Sequence, residues 1–263
     1  MKGCRPFTDI ELDVIEGAYQ KCRTFEGMRD AALFGVGVRS AYRISELLSL
    51  NIENFINNEN QFFDRLTVAR QHMKGARASR DLVNDPKAVQ LIEQCLRDLR
   101  DMGYLPEKQD YALPESNMIY RIEHKKRKKM AHSSRSVALH PVALEIMQKW
   151  LKQMHKYGFM KKDCPVFCKK NGERLERRYV GRRLKNFCAK LGITDRINTH
   201  SMRKTVARKA LEYALRERNN GEPIDVLRTV QEVLGHSNIN STTKYLSFDS
   251  NQTDDVVLNM WEK

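Results

Sequence analysis

Three short segments in the last quarter of the chain decide its fold: Thr199-His200-Ser201-Met202-Arg203-Lys204-Thr205, Leu234-Gly235-His236-Ser237 and Ser241-Thr242-Thr243-Lys244-Tyr245. They combine two histidines, an arginine and a tyrosine with signals for helix starts and stops. Thr199 is a good N-cap, and a helix that begins there carries His200 and Arg203 on one face, because they are three positions apart. We therefore expect charged and polar groups to converge in this part of the chain.

The second and third segments mark the end of one helix and the start of another. Gly235 follows the apolar run Val226 to Leu234 and suits the left-handed conformation that often ends a helix. Ser241 or Thr242 can cap the next short helix, which would place Tyr245 near its N-terminus. A helix N-terminus favours a phosphate through its unpaired N–H groups and its dipole. The pattern thus predicts a phosphate-binding arrangement beside a phenol.

These segments resemble the tyrosine recombinase (phage integrase) family. Four motifs carry the resemblance, in this order: the first-arginine motif Tyr42 to Leu50, the H-x-x-R of His200 to Arg203, the L-G-H of Leu234 to His236, and Tyr245, nine positions after His236. The resemblance extends over roughly residues 7 to 248 and implies a mainly α catalytic domain with a small antiparallel β-sheet (α+β). The alternative is that the two histidines and the tyrosine are ordinary core residues.

The resemblance implies a role for each of these side chains in DNA cleavage. Tyr245 would attack the phosphate and form a 3′-phosphotyrosyl bond, while Arg43 and Arg203 clamp the non-bridging oxygens. His200 would accept the tyrosine proton or orient the phosphate, and His236 would donate a hydrogen bond to the same phosphate. Because the phosphotyrosyl bond conserves the energy of the ester, neither ATP nor a metal cofactor is implied. Consistently, the sequence has no P-loop and no clustered acidic metal site.

Two lysines compete for the remaining role, protonation of the departing 5′-oxygen. The resemblance implies a lysine on a β-hairpin after the first arginine, and Lys74 fits, since residues 62–83 alternate like two short strands around Gly75. A shift of 55 positions, however, places Lys74 on Lys129, which suggests a duplicated hairpin-plus-helix unit at 74–112 and 129–167. The alternative is a chance similarity between two basic strand–turn–helix stretches. We favour Lys74, because its unit directly follows the Arg43 segment.

The first fifty residues predict helices. Thr8 and Glu11 form a capping box for a helix over about residues 8–22, and a second helix covers roughly 27–37. The segment Gly35-Val36-Gly37 is then expected to lead into a helix that carries Arg43. Glu46, one turn later, could hold the Arg43 guanidinium by a bidentate contact. The alternative is that Arg43 and Glu46 are simply an exposed pair on the helix surface.

Charge and composition point to nucleic acid. The chain has 263 residues, a formal net charge of +14 and a pI near 9.6, which is typical of nucleic-acid-binding proteins but also fits simple solubility or attraction to a membrane surface. The basic run 124–129 and the basic helix predicted for 178–191 could contact DNA phosphates. No long apolar run or signal peptide is present, so no membrane span is expected. The six scattered cysteines suggest reduced thiols in the cytoplasm rather than a zinc site.

The expected domain organisation follows from the resemblance. Residues 1–250 would form the catalytic domain, without the N-terminal core-binding domain that most family members have. The tail 251–263, acidic and then apolar, could dock on a neighbouring copy in a homo-oligomer, a tetramer on double-stranded DNA. Two alternatives to a site-specific recombinase or integrase stay open, namely a type IB topoisomerase-like enzyme and a catalytically idle DNA-binding regulator.

Overall fold

The computed structural model describes residues 4–69, 94, 101–102, 134–236 and 239–246, with the backbone but not the side chains of Lys244 and Tyr245. The chain divides into two compact units, one made of residues 1–67 and 136–263 and the other of residues 68–135. Nearly all the described residues belong to the first unit. The predictions for Lys74, Lys129, the basic run 124–129 and the tail 251–263 fall outside the described residues.

Helices make up most of the first unit. In chain order they are α1 (Asp9–Gln20), α2 (Phe25–Ser40), α3 (Ile44–Leu48), a short 3₁₀ turn (Ile52–Asn54), α4 (Pro141–Lys156), α5 (Arg177–Lys190), α6 (Thr199–Asn219), α7 (Val226–Leu234) and α8 (Ile239–Leu246). The described strands, β1 (Arg65–Val68) and β2 (Arg135–Ala138), form a two-stranded antiparallel sheet. This confirms the predicted mainly α fold with a small antiparallel sheet.

The predicted capping box starts α1. The Glu11 N–H donates to Oγ1 of Thr8 at 3.2 Å, and the Thr8 N–H donates to Oε2 of Glu11 at 2.9 Å. Two otherwise unpaired backbone donors are thereby satisfied, which fixes where the helix begins.

α2 extends through Gly35-Val36-Gly37 to Ser40, beyond the predicted end at about residue 37, so these glycines do not lead directly into the helix at Arg43. A Cβ added at Gly37 would lie 2.8 Å from Sδ of Met202, and one at Gly35 would lie 2.8 Å from Cδ1 of Ile146. The glycines therefore give α6 and α4 room to pack closely on α2. Their role is helix packing, which a single-sequence reading cannot distinguish from helix breaking.

The first strand of the hairpin predicted at 62–83 corresponds to β1, and β2 lies beside it. The Leu139 N–H donates to the carbonyl of Asp64 at 2.9 Å, and the Thr67 hydroxyl donates to Oγ of Ser136 at 3.0 Å. The Tyr42 hydroxyl donates to the carbonyl of Leu66 at 2.8 Å, which joins β1 to the residues just before Arg43. The second strand of that prediction lies outside the described residues.

α2 is the central helix of the first unit, packed against α1, α3, α4 and α6. Its neighbours bury large side chains, among them Phe7, Trp150 and Met202. The buried Trp150 indole N–H donates to the carbonyl of Val166 at 2.8 Å, so the polar atom of this core side chain has a hydrogen-bond partner. Among the described helices, none is both long enough and apolar enough to span a membrane.

Candidate active site

Arg43 is held at the start of α3 by Glu46. The two oxygens of Glu46 accept separately, Oε2 from the Arg43 backbone N–H and Oε1 from Nη1 of its guanidinium, each at 2.8 Å. The Glu46 side chain is fully buried, whereas that of Arg43 is 22% exposed. The structure therefore favours the buried pair over a surface pair. Two details of the prediction were wrong: Arg43 is the N-cap residue of α3 rather than a residue within the helix, and Glu46 does not form a bidentate contact with the guanidinium.

The first turn of α6 carries His200 and Arg203. Its N-cap is Asn198, one residue before the expected Thr199, and the Asn198 side-chain oxygen accepts from the His200 N–H at 2.7 Å. His200 is exposed, while Arg203, one turn later, is only 1% exposed. The pair therefore occupies one end of the helix at two different depths.

Arg203 connects three of the predicted motifs. Its Nη2 donates to the carbonyl of Leu234 at 2.5 Å, and its Nη1 donates to the carbonyl of Ala41. Ala41 lies two residues before Arg43, and Leu234 lies two residues before His236. One buried guanidinium on α6 thus brings together the backbone segments that lead into Arg43 and His236.

A small apolar cluster surrounds this junction. Ala41, Ala207, Val230 and Leu234 are buried together, and Leu246 of α8 packs against them. The cluster joins the end of α2 to α6, α7 and α8. Because side chains in such a core are closely packed, the polar groups at its edge have little freedom to move apart.

His236 directly follows the end of α7. Gly235 has φ of 62° and ψ of 40°, the left-handed conformation that the sequence predicted there. The His236 N–H donates to the carbonyl of Gln231 at 3.0 Å, and Nε2 of Gln231 donates to the carbonyl of His236 at 2.9 Å. Nδ1 of the imidazole lies 3.0 Å from Oγ1 of Thr242 on α8.

α8 places Tyr245 differently from the sequence prediction. The helix already begins at Ile239, so Ser241 and Thr242 are helical residues and neither is an N-cap. Tyr245 is consequently in the last turn of α8, and the expectation that this residue lies near the N-terminus of its helix was wrong. Thr242 is fully buried against His236, a contact that a Ser/Thr capping pattern does not reveal. The Tyr245 side chain lies outside the described residues.

Sequence reasoning missed three polar partners in this site, namely Asn198, Gln231 and Thr242. Each holds one of the predicted histidines through its backbone or its ring. Asn198 carries a recognisable signal, since asparagine is among the preferred N-cap residues. The other two have no sequence signal, because their partners are set by the way in which helices meet.

Other nucleophiles and metal ligands are scarce in the described residues. Burial raises the pKa of the Cys168 and Cys188 thiols to about 11, so neither is a thiolate at neutral pH. The cysteines that the structure describes are free thiols. In the same part of the chain, no group of three or more His, Cys, Asp or Glu side chains is arranged to hold a metal ion.

α5 presents a basic surface, as predicted, although its inward residues differ in part. Leu184 is buried as expected, together with Val180 and Cys188, while Tyr179 and Phe187 are half-buried. The exposed side of the helix carries five basic residues: Arg177, Arg178, Arg182, Lys185 and Lys190. Such a row of cations is suited to contacts with a phosphate backbone.

The sequence model of the phage integrase family matches residues 107–252, more than half of the chain. The chain belongs to the phage integrase, or tyrosine recombinase, family. The matched range contains His200, Arg203, His236 and Tyr245, whereas Arg43 precedes it. The hydrogen bond from Arg203 to the carbonyl of Ala41 connects the Arg43 segment to the motifs within the matched range.

Curated relatives are similar over part of their length. Tyrosine recombinase XerC of Proteus mirabilis is 34% identical over 116 residues, which are 44% of this chain and 34% of that protein. Tyrosine recombinase XerC of Haemophilus influenzae (strain PittEE) is 26% identical over 176 residues, 66% of this chain and 56% of that protein. The chain thus spans about a third to somewhat over half of the length of these tyrosine recombinases.

Solved recombinase structures share the fold across almost the whole chain. The XerH site-specific recombinase bound to palindromic difH substrate, in a post-cleavage complex, gives a TM-score of 0.56 at 18% identity and covers 98% of this chain and 54% of that one. The XerA recombinase gives a TM-score of 0.56 at 14% identity, and the match covers 99% of this chain and 65% of that one. At these identities the comparison establishes the fold alone, that of tyrosine recombinase catalytic domains.

Proposed function

We propose that this chain is a site-specific DNA recombinase or integrase that cleaves and rejoins DNA through a 3′-phosphotyrosyl intermediate at Tyr245. The observation that supports it most is the Arg203 junction, because one guanidinium unites the segments of three motifs that the chemistry needs in one place. An arginine has five N–H donors, so binding two carbonyls is compatible with a phosphate contact as well.

In the proposed reaction, the Tyr245 oxygen attacks the scissile phosphorus, and the bond from phosphorus to the 5′-oxygen breaks. A phenol has an ordinary pKa near 10, so its proton must be taken up, and the exposed His200 is suited to accept it. Arg43 and Arg203 neutralise the charge that develops on the non-bridging oxygens. His236 donates a hydrogen bond to the same phosphate.

The departing 5′-oxygen requires a proton, and we assign this role to Lys74, with Lys129 as the competing candidate. The phosphotyrosyl ester retains the energy of the original phosphodiester, so rejoining is the reverse attack by a 5′-hydroxyl. The proposal therefore includes no ATP and no metal cofactor.

Double-stranded DNA is the proposed substrate, bound in the cytoplasm with help from the exposed basic side of α5. The XerH recombinase, which shares the fold, was solved bound to difH substrate, and this supports the assignment by family relationship. A homo-oligomer, a tetramer on DNA, is part of the same proposal, with residues 251–263 as the segment that docks on a neighbouring copy.

The direct test is incubation with nicked candidate DNA, from which the fragment beyond the cleavage point can diffuse away. The unaltered chain should form a covalent DNA–protein adduct on a denaturing gel. Tyr245→Phe should bind the same DNA with unchanged affinity and form no adduct, because the nucleophilic oxygen is missing. An adduct that persists in this variant would show that another residue attacks the phosphate.

The same proteins distinguish the two alternatives when they are also given supercoiled plasmid and DNA with paired candidate sites. A type IB topoisomerase-like enzyme would relax supercoiled plasmid without paired sites, whereas a recombinase should exchange strands only between two sites. An idle DNA-binding protein would retard the DNA on a native gel and give no adduct on any substrate.

A further inference from the structure

His236 is fixed from two helices at once. Gln231 of α7 binds both backbone groups of His236, its carbonyl accepting from the N–H at 3.0 Å and its Nε2 donating to the carbonyl at 2.9 Å. Thr242 of α8 approaches the imidazole at Nδ1, with Oγ1 3.0 Å away. α7 therefore sets where the residue lies, and α8 sets how its ring is turned.

The direction of the Thr242 hydrogen bond follows from burial. Thr242 is fully buried, and a buried hydroxyl needs an acceptor for its hydrogen. Within the described residues, the contact of this hydroxyl is Nδ1 of His236. If Nδ1 instead carried a proton and donated it, the hydroxyl hydrogen would have no acceptor among the described residues, which is unfavourable for a buried hydroxyl. The hydroxyl therefore donates to Nδ1.

We propose that Thr242 is a positioning residue that holds neutral His236 in the tautomer with its proton on Nε2. This inference rests on the proposed function, since it explains how His236 presents an N–H to the scissile phosphate. A neutral imidazole has one donor nitrogen and one acceptor nitrogen, and the hydrogen bond at one decides the state of the other. Without Thr242, part of the population would carry the proton on Nδ1 and could not donate from Nε2.

The position of Thr242 also links His236 to the attacking residue. Thr242 and Tyr245 are three positions apart on α8, one helical turn. Leu246 at the end of the same helix packs on the cluster of Ala41, Ala207, Val230 and Leu234. The packing of α8 on this cluster therefore fixes two things together: the orientation of the His236 ring, through Thr242, and the backbone position of Tyr245, the proposed nucleophile.

Three variants test the assignment. Thr242→Val keeps the shape but removes the hydroxyl, and Thr242→Ser keeps the hydroxyl. Thr243→Val is the matched control, because Thr243 is the exposed neighbour whose hydroxyl donates to the carbonyl of Ile239 on its own helix at 3.2 Å. It loses a hydroxyl from α8 without touching His236.

The decisive measurement is nitrogen NMR of the His236 ring in the full-length chain without DNA, at about pH 8.5, where an ordinary histidine is neutral. The unaltered chain, Thr242→Ser and Thr243→Val should show the proton on Nε2, and Thr242→Val should show a mixture. A proton on Nδ1 in the unaltered chain overturns the proposal, even if Thr242→Val fails to fold. An unchanged ring spectrum in folded Thr242→Val overturns it as well.

Adduct formation provides the functional readout. Thr242→Val should cleave nicked DNA about tenfold more slowly, in line with the effect of removing an outer hydrogen-bond partner of a functional histidine. Thr242→Ser should recover most of the rate, and Thr243→Val should match the unaltered chain. Equal rates for all variants would contradict a positioning role. If the unaltered chain forms no adduct, the proposed function fails, while the ring spectrum still decides the tautomer.

Discussion

His200 and Arg203 lie one turn apart on α6, yet one is exposed and the other is buried. The H-x-x-R spacing predicts that both occupy one side of the helix, and it cannot predict depth. Depth depends on what covers the helix, here the carbonyls of Ala41 and Leu234 from distant parts of the chain. The two side chains are thus suited to different tasks in the proposed reaction, the exposed His200 to proton transfer and the buried Arg203 to holding the proposed phosphate site together.

The proposed acid can be identified with DNA whose scissile 5′-oxygen is replaced by sulfur, a leaving group that needs no proton. If Lys74 is the acid, Lys74→Ala should slow adduct formation with normal DNA by about a hundredfold or more. The rate with the sulfur-substituted DNA should be nearly unaffected. Loss of a phosphate contact would instead slow adduct formation equally with both DNAs. The measurement is the rate of adduct formation with each DNA.

Lys129→Ala is the matched variant, because the predicted repeat aligns the two lysines. This variant should form the adduct with normal DNA at the unaltered rate. If Lys129 only contacts DNA phosphates, adduct formation should be slower with both substrates. Rescue by sulfur in Lys129→Ala and not in Lys74→Ala would reverse the assignment and make the unit at 129–167 the catalytic copy.

At the scale of single elements, the sequence predicted helix boundaries best where local chemistry decides them. The Thr8 capping box and the left-handed Gly235 depend on neighbouring residues, and both are confirmed. The failures at Gly35 to Gly37 and at Thr242 have one cause. Those residues lie beside side chains outside their own helix: Ile146 and Met202 are on other helices, and His236 follows the end of α7. A local sequence pattern cannot predict such contacts.

The N-cap of α6 gives a prediction that separates stability from function. Asn198→Ala should lower the free energy of unfolding by about 1 kcal/mol, because the His200 N–H loses its acceptor. It should also slow adduct formation, since the first turn that carries His200 is loosened. Unfolding in denaturant and the adduct rate are the two measurements.

Thr8→Ala is the control, because it removes an equivalent cap from α1. It should cost a similar free energy of unfolding and leave the adduct rate of the folded protein unchanged. If both variants slow cleavage equally, the effect is a general loss of stability, and the cap of α6 has no particular role at the site.

At the scale of the whole molecule, the N-terminal residues are tied to distant parts of the first unit. Arg5 forms ion pairs with Glu11 and with Asp195, and the Phe7 N–H donates to Oγ1 of Thr205 on α6 at 2.9 Å. Composition established the positive charge of the chain, which fits a nucleic-acid partner but also simple solubility or attraction to a membrane surface. It could not predict which of the many cations serve the fold, because that depends on tertiary pairing.

Glu11 makes this tie dependent on pH. The hydrogen bond from Arg5 holds the pKa of the Glu11 carboxyl below its ordinary value, against the opposing effect of burial. Its contribution to stability is therefore complete above about pH 4.3, the ordinary glutamate value, and is lost as pH falls through the lower folded-state value. Glu11→Gln should lower Tm at pH 7, and its difference from the unaltered chain should shrink in acid.

Thermal unfolding followed by circular dichroism from pH 7 to about pH 3 measures this difference. Glu145→Gln is the control, because Glu145 is exposed and its ion pair with Lys149 lies within one helix. Its Tm should follow that of the unaltered chain at every pH. A Tm gap for Glu11→Gln that stays constant in acid would contradict the assigned role of the carboxylate.

The Arg203 junction has a consequence for the order in which the proposed site can assemble. The residues it joins, Ala41 and Arg203, are 162 positions apart, and Leu234 is a further 31 positions on. Such long-range contacts close large loops of chain, so they form only when most of the domain has assembled. A nascent chain that has not yet emerged as far as Leu234 lacks the junction. The proposed cleavage site would therefore be incomplete until Leu234 has been synthesised and the surrounding domain has folded around Arg203.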